Sequence, residues 1–129
     1  MLSTGQVSAT LAVSDVDRAR KFYTETLGFT PMMEDPAMGT LYAGGKGTMF
    51  LVYRSEFAGT NKATAMTINV EDFDGSIAGL REKGITFLDF DYPGFSSKDG
   101  IVQTPTGPAV WFADPDGNII SVASMPSLM

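Results

Sequence analysis

The residue types that carry most enzymatic and metal chemistry are missing from this chain, whose 129 residues include no His and no Cys. Disulfides and thiolate chemistry are therefore impossible. Ser8 and Ser121 have no histidine base, which excludes a Ser–His nucleophile. Among the carboxylates, Asp89 and Asp91 alternate with Leu88, Phe90 and Tyr92, so a strand there puts both on one face, while Glu34 and Asp35 are adjacent. A solvated face accounts for all four, and no pair is fixed in a general acid/base arrangement. The glycines of Gly44 to Gly47 lack the Lys-Ser/Thr ending of a phosphate loop. The single tryptophan, Trp111, lies shortly before Asp114 and is suited to stacking on a planar or cationic group.

Composition narrows the classes further. The length suits one compact domain with its own core. A net charge of −6 opposes nucleic-acid binding, which needs a basic surface against phosphates. It favours cationic ligands by attraction, although charge for solubility is the plainer explanation. No apolar run approaches the ~18 residues of a membrane span, and no basic segment leads into an apolar one at the N-terminus. A soluble, cytoplasmic protein without membrane or nucleic-acid partners is expected.

An internal repeat supplies the elements that must position any site. TLAVSDVDRARKFYTETLGF returns as TINVEDFDGSIAGLREKGITF, with Thr10 falling on Thr67, Val13 on Val70, Asp15 on Asp72 and Asp17 on Asp74. In the first copy a strand from Val7 to Val13 puts Val7, Ala9, Leu11 and Val13 on one face and Ser8, Thr10 and Ala12 on the other. Asp15 caps a helix over Val16 to Leu27, and Gly28 stops it. In the second, Met66, Ile68 and Val70 oppose Ala65, Thr67 and Asn69, and Asp72 caps Phe73 to Lys83 before Gly84. Three strand-like runs follow each helix: Phe29 to Glu34, Thr40 to Ala43 and Thr48 to Arg54, then Thr86 to Tyr92, Ala109 to Ala113 and Asn118 to Ser124. Asp114-Pro115-Asp116-Gly117 is a turn, Phe57 to Lys62 a linker, and Pro93 to Gly100 reads as a mobile loop with Phe95 as a lid. Met32, Met33 and Met38 are expected to fill gaps or meet another subunit. The order is βαβββ twice, in modules of residues 1–62 and 63–129 of one α+β domain.

VSDVDRARKFYTETLGF and WFADPDGNIISV, at this spacing on a repeat, resemble the vicinal-oxygen-chelate superfamily of glyoxalases, extradiol dioxygenases and bleomycin-resistance proteins. The resemblance implies two βαβββ modules forming an eight-stranded cup around a ligand, completed in several members across a homodimer. In metal-using members it places ligands at Ser8, Ala65, Ser121 and Phe50 (or its neighbour Leu51). None carries the imidazole or carboxylate that zinc, iron or manganese requires. The expectation is a bleomycin-resistance-like member with no metal, no cofactor and no catalytic residue. It would bind and sequester a small organic ligand, cationic or aromatic. The same strand parity puts Thr10, Val52, Thr67, Asn69, Ile119 and Ala123 in the cup, giving Trp111, Phe50, Ser8, Thr10, Val52, Thr67 and Ser121 as the candidate ligand-binding residues. The alternatives are a glyoxalase- or dioxygenase-like lyase or isomerase with an unorthodox site, which needs Asp or Glu in the cup, and a non-catalytic interaction domain.

Overall fold

Two aspartates start the two helices. Asp15 accepts a hydrogen bond from the Arg18 amide and Asp72 one from the Gly75 amide, each satisfying an amide that the first helical turn leaves unpaired. In the computed structural model, which describes residues 2–125, α1 spans Val16–Lys21 and runs on as a π-helical segment, Phe22–Thr26. Gly28, at φ +83°, supplies the left-handed residue that ends this helix. The second helix, α2, spans Phe73–Glu82 and stops before Gly84 in the same conformation.

The strands are β1 (Ala9–Val13), β2 (Thr30–Asp35), β3 (Gly39–Ala43), β4 (Met49–Arg54), β5 (Thr64–Val70), β6 (Asp91–Tyr92), β7 (Phe95–Lys98), β8 (Ile101–Thr104), β9 (Gly107–Ala113) and β10 (Ile119–Ser124). They form a four-stranded sheet in the order β1-β4-β3-β2 and a six-stranded sheet in the order β5-β10-β9-β8-β7-β6. In each sheet the strand before the helix pairs in parallel with the last strand of its module, and the other pairings are antiparallel. The helix is the crossover that a parallel pair requires. The chain divides into two compact units. One runs to Thr60 and takes in Pro115–Asn118; the other runs from Asn61 to Asp114 and resumes at Ile119.

In the first unit the core lies between α1 and one face of the sheet. Leu11 and Val13 of β1, Phe50 and Val52 of β4 and Tyr42 of β3 are buried there with Ala19 and Tyr23 of the helix. Tyr23, Tyr42, Phe29 and Phe50 form a ring cluster with centroids 4.8–5.9 Å apart. In the second unit the corresponding core consists of Phe73 and Ile77 of α2 with Val110, Phe112, Ile120 and Val122.

Several details differ from the pattern expected of the sequence. Strand β1 begins at Ala9, leaving Val7 exposed rather than in the apolar face. Residues 93–100 are not an irregular loop: they contain the β6–β7 turn, β7 and the β7–β8 turn. Of Thr86 to Tyr92 only Asp91–Tyr92 is strand, so the described residues hold ten strands rather than eight. The second module therefore has an added hairpin beyond βαβββ. Met32, Met33 and Met38 are exposed and fill no gap.

Candidate ligand-binding site

Strand register places three of the candidate residues in one row. Ser121 of β10 lies opposite Trp111 of β9 on one side and Thr67 of β5 on the other, so the three side chains share a face of the second sheet. The neighbouring partners Phe112, Ile120 and Met66 occupy the opposite face, which carries the core. A bulge between Ile119 and Ile120 lets Thr64 take up the same end of the row, with Ala65 as the inserted residue. There Thr64 Oγ1 accepts a hydrogen bond of 3.1 Å from Trp111 Nε1. That bond fixes the indole plane relative to the sheet.

The added hairpin brings two further rings to the same face. The Ser97 amide donates to the Phe90 carbonyl at 2.9 Å, and Ser97 Oγ accepts from the Phe90 amide. Ser97 in turn pairs with Val102, and Val102 with Ala109, continuing the row that includes Trp111 and Ser121. Phe95, opposite Tyr92, has the same parity. As a result Phe90, Phe95 and Trp111 meet edge to face, with centroids 5.2–5.5 Å apart and interplanar angles of 64–78°. Trp111 is half-buried, and its carbonyl accepts from the Leu88 amide.

Ser121 differs from the other polar groups here. Its backbone is paired on both sides within the sheet and the residue is only 3% exposed, while no side-chain hydrogen bond ties its hydroxyl to a described residue. No buried side-chain oxygen among the described residues lacks a partner, so this hydroxyl still reaches the surface of the face and is open to a ligand atom there. Asp89 and Asp91 are exposed, and Asp89 accepts a bond from Ser97 Oγ. The arrangement of the three rings offers stacking surface, with the hydroxyls of Thr64 and Ser121 beside it.

In the first unit Thr10 lies on the face away from the core, opposite Leu51, while Ser8 precedes β1 and is exposed. Phe50 and Val52 are corrections. Phe50 pairs with Ala9 and Val52 with Leu11, which places both on the core face, and Phe50 is stacked on Tyr42. The residue on the Thr10 face is Leu51. Every residue from Met49 to Tyr53 is apolar or aromatic, so alternation alone does not fix this strand's parity.

The metal that many relatives of such a fold require does not fit these residues. Of the positions that the resemblance gives to metal ligands, Ser8 and Ser121 carry only neutral hydroxyls and Phe50 (or its neighbour Leu51) and Ala65 carry no donor, and among the described residues no three Asp or Glu come together.

The expectations missed Thr64 and undervalued Phe90. Both turns of the hairpin were legible, as Pro93-Gly94 and Asp99-Gly100 flanking a short run with Phe95.

Two βα-led sheets, each with a parallel first-to-last strand pair and one helix covering a face, define a paired-module α+β fold. The sequence profile of the Glyoxalase/Bleomycin resistance protein/Dioxygenase superfamily matches residues 5–122, and the chain belongs to that superfamily. Among solved structures it is similar to a bleomycin-binding protein from Streptomyces verticillus complexed with copper(II)-bleomycin, at 20% identity and a TM-score of 0.70, covering 96% of this chain and 98% of that one. It is similar to an antibiotic-binding protein from Streptomyces sp. CB03234, at 24% identity and a TM-score of 0.65, covering 96% and 98%. It is also similar to a lactoylglutathione lyase from Agrobacterium tumefaciens, at 17% identity and a TM-score of 0.69, covering 94% and 93%. No curated protein sequence matches the chain. No helix among the described residues is long and apolar enough to cross a membrane.

Proposed function

We propose that the protein binds and sequesters a small, planar aromatic compound without using a metal. The ligand would lie on the Trp111 face of the second sheet. The observation that carries this reading is the meeting of Phe90, Phe95 and Trp111 on the sheet face that also carries Ser121. Apolar rings with one or two well-placed polar groups are what small-molecule sites require. Sequestration needs affinity and no chemistry: a Kd near 1 μM corresponds to about 8 kcal/mol. Stacking and apolar burial suffice for that. The acidic balance of the chain, −6, supports a cationic rather than an anionic ligand. The reading takes the acting species as a homodimer, for which the mass in solution by light scattering is the check.

The test uses Trp111, the single tryptophan, as reporter. Its fluorescence is followed during titration with metal-free bleomycin and other planar cationic antibiotics in the presence of EDTA. Saturable quenching in EDTA supports the proposal. Binding that appears only when copper or zinc is restored, or no response to any compound, sinks it.

A further inference from the structure

We infer that Phe95 is the residue that selects ligands at the Trp111 face: a displaceable cover, carried on a weak hairpin tip, that occupies the indole's contact surface until a flat ligand replaces it. The inference rests on the binding proposal above, and part of its test does not.

The ring of Phe95 stands edge-on against both Trp111, at 5.5 Å and 64°, and Phe90, at 5.2 Å and 73°. A planar ligand stacking on the indole at that position competes with it directly. What holds Phe95 there is slight. The β6–β7 pairing consists of two residue pairs, Asp91 with Ser96 and Tyr92 with Phe95, and Tyr92 is 64% exposed. The turn between them is Pro93-Gly94, in which proline fixes a negative φ and Gly94 takes +76°. That is the signature of a type II turn, whose twist splays the strands of a two-residue hairpin instead of following them. An isolated two-stranded ribbon of this kind is marginal on its own.

The base of the hairpin is built differently. Asp99 and Gly100 have φ of +54° and +80°, as the favoured type I′ turn requires. Gly100 is buried against Phe87, and Arg81 donates to the Asp99 carbonyl at 2.7 Å. Ser97 is tied to Phe90 and Asp89 through both its amide and its hydroxyl. A firm base and a loose tip place the flexing point between Ser97 and Ser96. An open groove of about 530 Å³, lined by Gly94, Ser96, Ser97, Lys98, Ile101 and Gln103 among others, flanks the tip and leaves room for it to move.

A cover that must leave before binding reduces apparent affinity by the fraction of molecules in which it is open. Phe95→Ala and the milder Phe95→Leu are therefore compared with the unaltered protein in two measurements. The first is quenching of Trp111 fluorescence by acrylamide with no ligand present. The second is stopped-flow binding of 9-aminoacridine, a flat cationic probe. The quenching constant is expected to rise about twofold or more and association to quicken at least about threefold, with no loss of affinity, in both variants and more strongly for Ala. Unchanged quenching, or affinity falling about tenfold while quenching is unchanged, overturns the inference and makes Phe95 a fixed wall. If quenching rises but no form of the protein binds 9-aminoacridine or metal-free bleomycin, the cover stands and the binding proposal falls.

Discussion

Asp116 grips Ser14 twice: its carboxylate accepts from the Ser14 hydroxyl at 2.6 Å and from the Ser14 amide at 3.2 Å, across 102 positions of sequence. Arg18 adds a third contact to the same carboxylate at 3.1 Å. Two residues on, Asn118 donates to the Ala12 carbonyl at 2.8 Å. The DPDG turn, readable in the sequence only as a bend, is thus the latch that completes the first unit.

Asp116→Ala is expected to cost about 2 kcal/mol, because charge-assisted bonds to a nearly buried carboxylate are lost and the Ser14 amide is left unpaired. In a domain of this size that lowers Tm by roughly 8 °C in a calorimetric scan. Arg18→Met is expected to cost about 0.5 kcal/mol, since the guanidinium is half exposed. Equal losses for the two variants would mean that the ion pair, and not the Ser14 bonds, holds the turn.

Phe50→Ala is expected to destabilise the fold by about 3–5 kcal/mol, as for other large core aromatics, because it empties the centre of the Tyr23–Tyr42–Phe29 cluster. Phe50→Leu retains most of the volume. It is expected to fold and to bind the same ligands with unchanged affinity by fluorescence titration. A selective loss of binding in Phe50→Leu would return this residue to the site.

Ser121→Ala separates binding from stability. With no described partner to orphan, the substitution is expected to change ΔG of unfolding by less than about 0.5 kcal/mol in urea titration. Affinity for a ligand that hydrogen-bonds there is expected to fall about fivefold, the equivalent of one ordinary hydrogen bond. A large drop in stability instead would mark Ser121 as a packing residue.

Divalent metals are expected to leave Tm unchanged. Zinc, manganese or nickel at 100 times a site's Kd raises stability by about 2.7 kcal/mol, an easily detected shift, and the donor set here contains no such site. A saturable rise in Tm with one metal and not the others would require a cluster of carboxylates that the described residues do not form.

The repeat and its caps were legible because both rest on local chemistry. Asp15 and Asp72 begin their helices and Gly28 and Gly84 end them as their residue types dictate. The faces of β5 and β10 were legible too, since polar Thr67, Asn69 and Ser121 alternate with apolar neighbours. Strand β4 was not: in MFLVYR five successive residues suit either face, and only pairing with β1 decides that Phe50 and not Leu51 meets the helix. The hairpin carrying Phe95 was hidden by its composition. Gly, Ser and Lys weaken the strand pattern, and its identity comes from neighbours it meets only in the folded sheet.

Because the first unit takes in Pro115–Asn118, it lacks four of its own residues until Asn61–Asp114 of the second unit has been translated. A ribosome that has released only the residues up to Thr60 exposes β1 and α1 without the Asp116 and Asn118 contacts that tie them down. The first unit is therefore expected to complete its packing only after the second unit's Asn61–Asp114 has been made, and a fragment ending at Thr60 is expected to need chaperones rather than to stand alone.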